Sequence, residues 1–112
     1  MKGTNMNPTN LDEAIAWLEN EMKEELDGFK ELDEDSALIL VHMGLGVVVR
    51  NKLGLWQENK LTKHFSTIGI FHPDDMSSVM FKALHRKLNN RTLDLVAEAQ
   101  MYKEHWENAK ES

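Results

Sequence analysis

An all-α fold, a compact bundle of about five helices around a buried central one, is predicted by three observations. Apolar residues recur at intervals of three and four along most of the 112 residues. Asn, Asp and Gly stand where such stripes begin and end. One stretch, ALILVHMGLGVVV from Ala37 to Val49, is apolar on every side, as the central helix of a bundle must be.

Each element follows from that pattern. Asn10 can cap a first helix, with Glu13 completing a capping box and Leu11, Ile15, Leu18, Met22 and Leu26 forming its stripe up to a stop at Gly28. Asp33 can cap a second helix, with Glu34 and Asp35 in its positive first turn. That helix is expected to run unbroken to about Lys52, with Gly54 as terminator. Gly44 and Gly46 each cost roughly 1 kcal/mol against alanine there, and their use would be to let another helix approach closely. A short helix from about Glu58 to Ser66 should end at Gly69. A fourth carries Met76, Val79, Met80, Ala83, Leu84 and Leu88 and is broken by Asn89 and Asn90. The last, from about Thr92 to Lys110, places Leu95, Ala99, Tyr102 and Trp106 on one stripe that should be buried. Residues 1–9 read as a flexible N-terminus and 10–112 as a single helical domain.

Composition narrows the function classes. A chain of this length with 41% hydrophobic residues can bury a core without staples, and with no cysteine it has no disulfide, thiolate zinc site or cysteine nucleophile. The absence of an apolar leader and of a run long enough to span a bilayer points to a cytoplasmic protein with no membrane role. Charge is uneven. Residues 1–36 hold three lysines against eleven acids, a net of −8; residues 37–90 are +4 and residues 91–112 are −2. An acidic surface favours a protein partner or self-association over nucleic acid, which would need the basic middle, Arg50, Lys52, Lys82, Arg86 and Lys87, gathered on one face.

The side chains that could carry chemistry are few. GIFHPDDMS, residues 69–77, sets His72, Asp74 and Asp75 around a proline. It reads chiefly as a helix start: His72 or Asp74 near the cap, Pro73 in the first turn, both aspartates at the positive dipole end, and Phe71 with Met76 or Val79 as an apolar staple. The alternative is a metal-dependent or acid-base enzyme centred on the same segment. A metal would need His72 and Asp75 joined by His42 or His64, because His72 and His85 lie roughly 20 Å apart on one helix. His42, alone in the apolar stretch, reads as a core histidine bonded through one ring nitrogen. No serine sits in a nucleophile elbow, and Gly44 and Gly46 are packing glycines rather than a phosphate loop. Arg50 suits the negative end of its helix, and Trp56 can fold back over that end as a lid or form a binding edge with Lys60, Lys63 and His64. Trp17, off the stripe of the first helix, is the tryptophan expected to be exposed. No cofactor, no metal and no catalytic residue is expected.

In order, HMGLGVVVRNKLGLW (42–56), GIFHPDDMS (69–77) and LHRKLN (84–89) carry a resemblance. The chain is similar over roughly residues 10–90 to a small bacterial and phage family catalogued as domain of unknown function 6794. The shared features are an H-x-G-L-G run, Arg50-Asn51, G-L-W at Trp56, the HPDD segment and His85-Arg86. The resemblance implies a small helical domain with no assigned activity, so no catalytic roles come with it. The expected function is that of a small non-enzymatic protein-binding or regulatory module acting through the acidic first helix or the amphipathic last one. Trp17, Arg50, Trp56, His72, Asp74, Asp75, His85 and Arg86 are its candidate binding residues.

Overall fold

A computed structural model describes residues 7–42 and 44–111, so most of the stretch read as a flexible N-terminus, along with Met43, lies outside the described residues. Among the described residues the chain is all-helical, with seven helices rather than five: α1 (Leu11–Glu21), α2 (Leu26–Glu31), α3 (Glu34–His42), α4 (Leu45–Lys52), α5 (Lys60–Ile68), α6 (Pro73–Leu88) and α7 (Leu95–Glu111).

The two additional helices come from breaks that the periodicity hides. The Asn10 side chain accepts the Glu13 amide, as expected of an N-cap. The Glu13 carboxylate reaches one residue further, to the amide and hydroxyl of Thr9. This helix then stops at Glu21, well before Gly28. Its last turn has no basic residue, and the acids that follow, Glu24, Glu25 and Asp27, would sit unfavourably at the negative dipole end of a longer helix. After a turn, α2 takes Gly28 into its interior and buries Phe29 edge-on against Phe81 and His85.

The apolar stretch is likewise two helices, α3 ending at His42 and α4 starting at Leu45. Gly46 shows why the chain folds there. A Cβ on it would stand 3.2 Å from the Val41 carbonyl oxygen and 3.0 Å from Arg50 Nη1, so the close approach that a glycine permits is made by the preceding helix and by a guanidinium. Two short helices also need not be buried all round. Ile39 and Leu40 are 74% and 66% exposed, Val47 and Val48 are partly open to water, and His42 is exposed rather than a core histidine.

The central helix is α6 instead. It buries Met76, Val79, Met80, Phe81, Ala83 and Leu84 and is packed by α1, α2, α3 and α4. Each such large side chain contributes about 1.5–3 kcal/mol on removal from water. The predicted stops at Gly54 and Gly69 hold, both at positive φ (62° and 96°). Asn59 caps α5 in a reciprocal box with Thr62, and Asp94, two residues after the expected start, caps α7 through the Ala97 amide. Leu95, Ala99 and Tyr102 pack against the core as the stripe predicts, but Trp106 keeps 39% of its surface. No helix among the described residues is long and apolar enough to cross a membrane.

Candidate binding site

The HPDD segment starts α6. His72 is the N-cap, in extended backbone, and its Nδ1 accepts the Asp74 amide at 3.1 Å; Pro73 follows at the first helical position, where a missing N–H costs nothing. An accepting Nδ1 puts the proton of the neutral ring on Nε2. The expected staple does not form: Phe71 is 70% exposed, and the buried residue before the cap is Ile70.

Neither aspartate ends up as a simple backbone cap. Asp74 Oδ1 lies 3.3 Å from Arg50 Nε. Arg50 is buried beneath Gly46 rather than spread over the end of α4, and its Nη1 donates to Ser77 Oγ at 2.9 Å. Ser77 in turn donates to the Asp74 carbonyl oxygen. Asp75, also buried, accepts a 2.8 Å hydrogen bond from Trp106 Nε1. The same indole stacks on the His72 ring, with centroids 4.7 Å apart at 21°, while Trp56 meets that imidazole edge-on at 5.9 Å. Trp56 itself is 61% exposed, so it is neither core nor a lid over α4.

Five of the predicted binding residues, Arg50, Trp56, His72, Asp74 and Asp75, therefore converge. Three do not. His85 lies thirteen residues beyond His72, its Nε2 bonded to the Leu32 carbonyl oxygen and its Nδ1 buried without a partner among the described residues. Arg86 forks onto both carboxylate oxygens of Glu34 and also donates to the Thr92 carbonyl. Trp17, expected to be exposed, is half-buried at the margin of the core.

Beside the convergence lies an apolar groove of about 770 Å³ between the start of α6 and α7. Phe71, His72, Asp75, Ala99, Tyr102 and Trp106 line it, with Val96 and Lys103 nearer the solvent. Gly69 lets α7 come this close, since a Cβ there would lie 3.3 Å from that of Ala99. Burial pushes the Tyr102 hydroxyl pKa well above its ordinary range, and the negative charges of Glu98 and Asp75 add to the effect. The sequence hides the roles of Tyr102, Trp106 and Ser77. The first two look like any buried stripe at i and i+4, and the 31-residue separation of Asp75 from Trp106 is a purely tertiary pairing.

Asp74 and Asp75 are each engaged, by Arg50 and by an indole, and among the described residues no three His, Asp or Glu side chains gather as a ligand set. Comparison with known proteins gives a family and nothing finer: the domain of unknown function (DUF6794) matches residues 7–88, which spans α1 to α6 and stops before α7. Neither a curated protein nor a solved structure matches. The match covers most of the chain and contains Arg50, Trp56 and the whole HPDD segment, and on that ground the chain belongs to the DUF6794 family.

Proposed function

We propose that this chain is a small non-enzymatic protein-binding module, acting in the cytoplasm, whose working surface is the groove between the start of α6 and α7. One observation carries the reading. The apolar groove is walled by rings and aliphatic side chains left open to water, Phe71 and Val96 (80% exposed) foremost, while the polar groups behind it are tied to one another. Exposed apolar surface of this kind is costly in water and marks contact sites. The aromatic content suits a protein partner, because aromatic side chains concentrate binding energy. Of the two surfaces expected to act, the last helix is favoured over the acidic first one, whose apolar face is used up against α6.

The test is a paired capture experiment. Wild-type protein, a Phe71→Glu/Val96→Glu variant and an Ile39→Glu control are used as bait under identical conditions, with circular dichroism to establish that all three fold. The reading expects a partner retained by wild type and by the control and lost from the groove variant. Identical retention by all three would reject the groove. If the retained partner is the chain itself, sedimentation equilibrium would show a mass that rises with concentration for wild type but not for the groove variant.

A further inference from the structure

We propose that the groove seats an alkylammonium group, the side chain of a lysine carried by the docked segment, with its methylenes along the Phe71 and Val96 walls and its charge toward Asp75. The inference rests on reading the groove as the partner-binding surface, and names what that partner must present.

The observations are these. Asp75 is buried and lines the groove, yet it belongs to none of the ion pairs formed among the described residues. Its one side-chain hydrogen-bond donor among the described residues, Trp106 Nε1, is neutral. Two of the nearby cations are committed elsewhere, Arg50 to Asp74 and Ser77, and Lys82 to Glu98 at 2.8 Å. Lys103 also lines the groove, on its exposed side, and forms no ion pair with Asp75 among the described residues. Three aromatic rings, Phe71, Tyr102 and Trp106, line the same space, and the negative faces of such rings attract a cation. The charges felt at the Tyr102 hydroxyl, from Glu98 and Asp75, are both negative.

Other guests fit less well. An anion would meet Asp75 directly. A purely apolar side chain would complete the burial of that carboxylate without supplying a counter-charge, which is the expensive way to cover an ion. A lysine resolves both: its stem packs on apolar walls and its head reaches the charge. The net charge of −6 points the same way, since it steers basic partners toward this chain.

The test needs no knowledge of the partner. The protein is titrated with n-hexylammonium chloride and, separately, with 1-hexanol, which has the same chain and a neutral head. The readout is the nitrogen-proton NMR spectrum, following the Trp106 indole and the Gly69 and Ala99 amides. The expected result is saturable shifts at these positions, with hexylammonium bound roughly tenfold more tightly than hexanol. Asp75→Asn should bring the ratio to about one, while its amide oxygen still accepts the Trp106 N–H. Equal affinities in wild type would overturn the ammonium assignment and leave the groove as an apolar protein-binding site. A preference that survives Asp75→Asn would overturn the role given to Asp75. If neither probe moves the groove resonances, the ammonium site is wrong, and the capture experiment alone decides the binding reading.

Discussion

The two ends of α6 both carry a histidine and charged side chains, and they are built for different ends. At the C-terminal end, Arg86 forks onto Glu34, His85 bonds the Leu32 carbonyl oxygen, and Asn89 donates to the Lys30 carbonyl oxygen. Every one of these contacts reaches α2, α3 or the turn between them and closes the surface. At the N-terminal end, the polar contacts run through Arg50, Asp74 and Ser77 on the inner side and through Trp106 and Asp75 on the outer side, and a groove remains between α6 and α7. One helix thus uses its cationic end to hold the bundle together and its acidic end to shape an opening. Charge alone does not separate the two ends; what separates them is polar side chains converging beside apolar surface left open.

Substitution can break that contrast. The largest effect is expected for Arg50→Ala, which leaves Ser77 buried without its donor and Asp74 without its cation. Because Asp74 is partly solvated, the cost should be about 2–3 kcal/mol, below that of a fully buried pair. A urea melt within 1 kcal/mol of wild type would mean that the guanidinium does not join α4 to α6. Next comes Arg86→Ala at the closed end, expected to cost about 2 kcal/mol for the loss of a charged, two-point contact. It should leave groove binding unchanged. If binding falls along with stability, the two ends are coupled and the contrast fails.

A smaller effect, about 1 kcal/mol, is expected of Asp75→Ala, from the lost indole bond and the lost charge at the start of the helix. The useful readout is local. Trp106 should become more exposed and its fluorescence shift to the red, with Trp56→Phe as background to simplify the spectrum. An unchanged spectrum would indicate that stacking on His72 alone holds the indole.

Much of this was legible from sequence where the cause is local. Asn10, Asp33, Gly54, Gly69 and Pro73 mark helix boundaries because caps, terminators and first-turn prolines act within four residues of themselves. The HPDD segment was likewise readable as a helix start. The break between α3 and α4 was not, because Gly46 is needed for the Arg50 guanidinium and the Val41 carbonyl, and both contacts exist only once the chain has folded back. The same holds for the site. Arg50, Trp56, His72, Asp74 and Asp75 stand out by type, but nothing in their spacing says that Arg50 turns inward to Ser77, or that a tryptophan beyond the family's shared region completes the cluster. His85 and Arg86 stand out by type just as much, and they lie at the other end of α6, bonded to the Leu32 carbonyl oxygen and to Glu34.

Titration separates the two ends with the smallest perturbation, because it leaves the sequence intact. At the closed end the Arg86 hydrogen bonds hold the Glu34 carboxyl below its ordinary pKa. A depressed folded-state value means that the unfolded chain takes up the proton first. The stability from this pair is present above the ordinary carboxylate range and is lost as pH falls through the lowered value. At the groove the sign is opposite. Burial, then Glu98 and Asp75, raise the Tyr102 hydroxyl above its ordinary value of 10.0, so the folded state keeps a proton that the unfolded chain gives up. That contribution is complete below pH 10 and declines as the solution becomes more alkaline. Melting curves of wild type, Glu34→Gln and Tyr102→Phe should therefore diverge at different extremes. Wild type should lose melting temperature faster than Glu34→Gln on acidification below about pH 4.5. It should also lose it faster than Tyr102→Phe above about pH 10. Parallel acid limbs would show that the Arg86 contact does not persist in solution. Parallel alkaline limbs would show that Tyr102 is already solvated, and that α7 stands further from α6 than the groove requires.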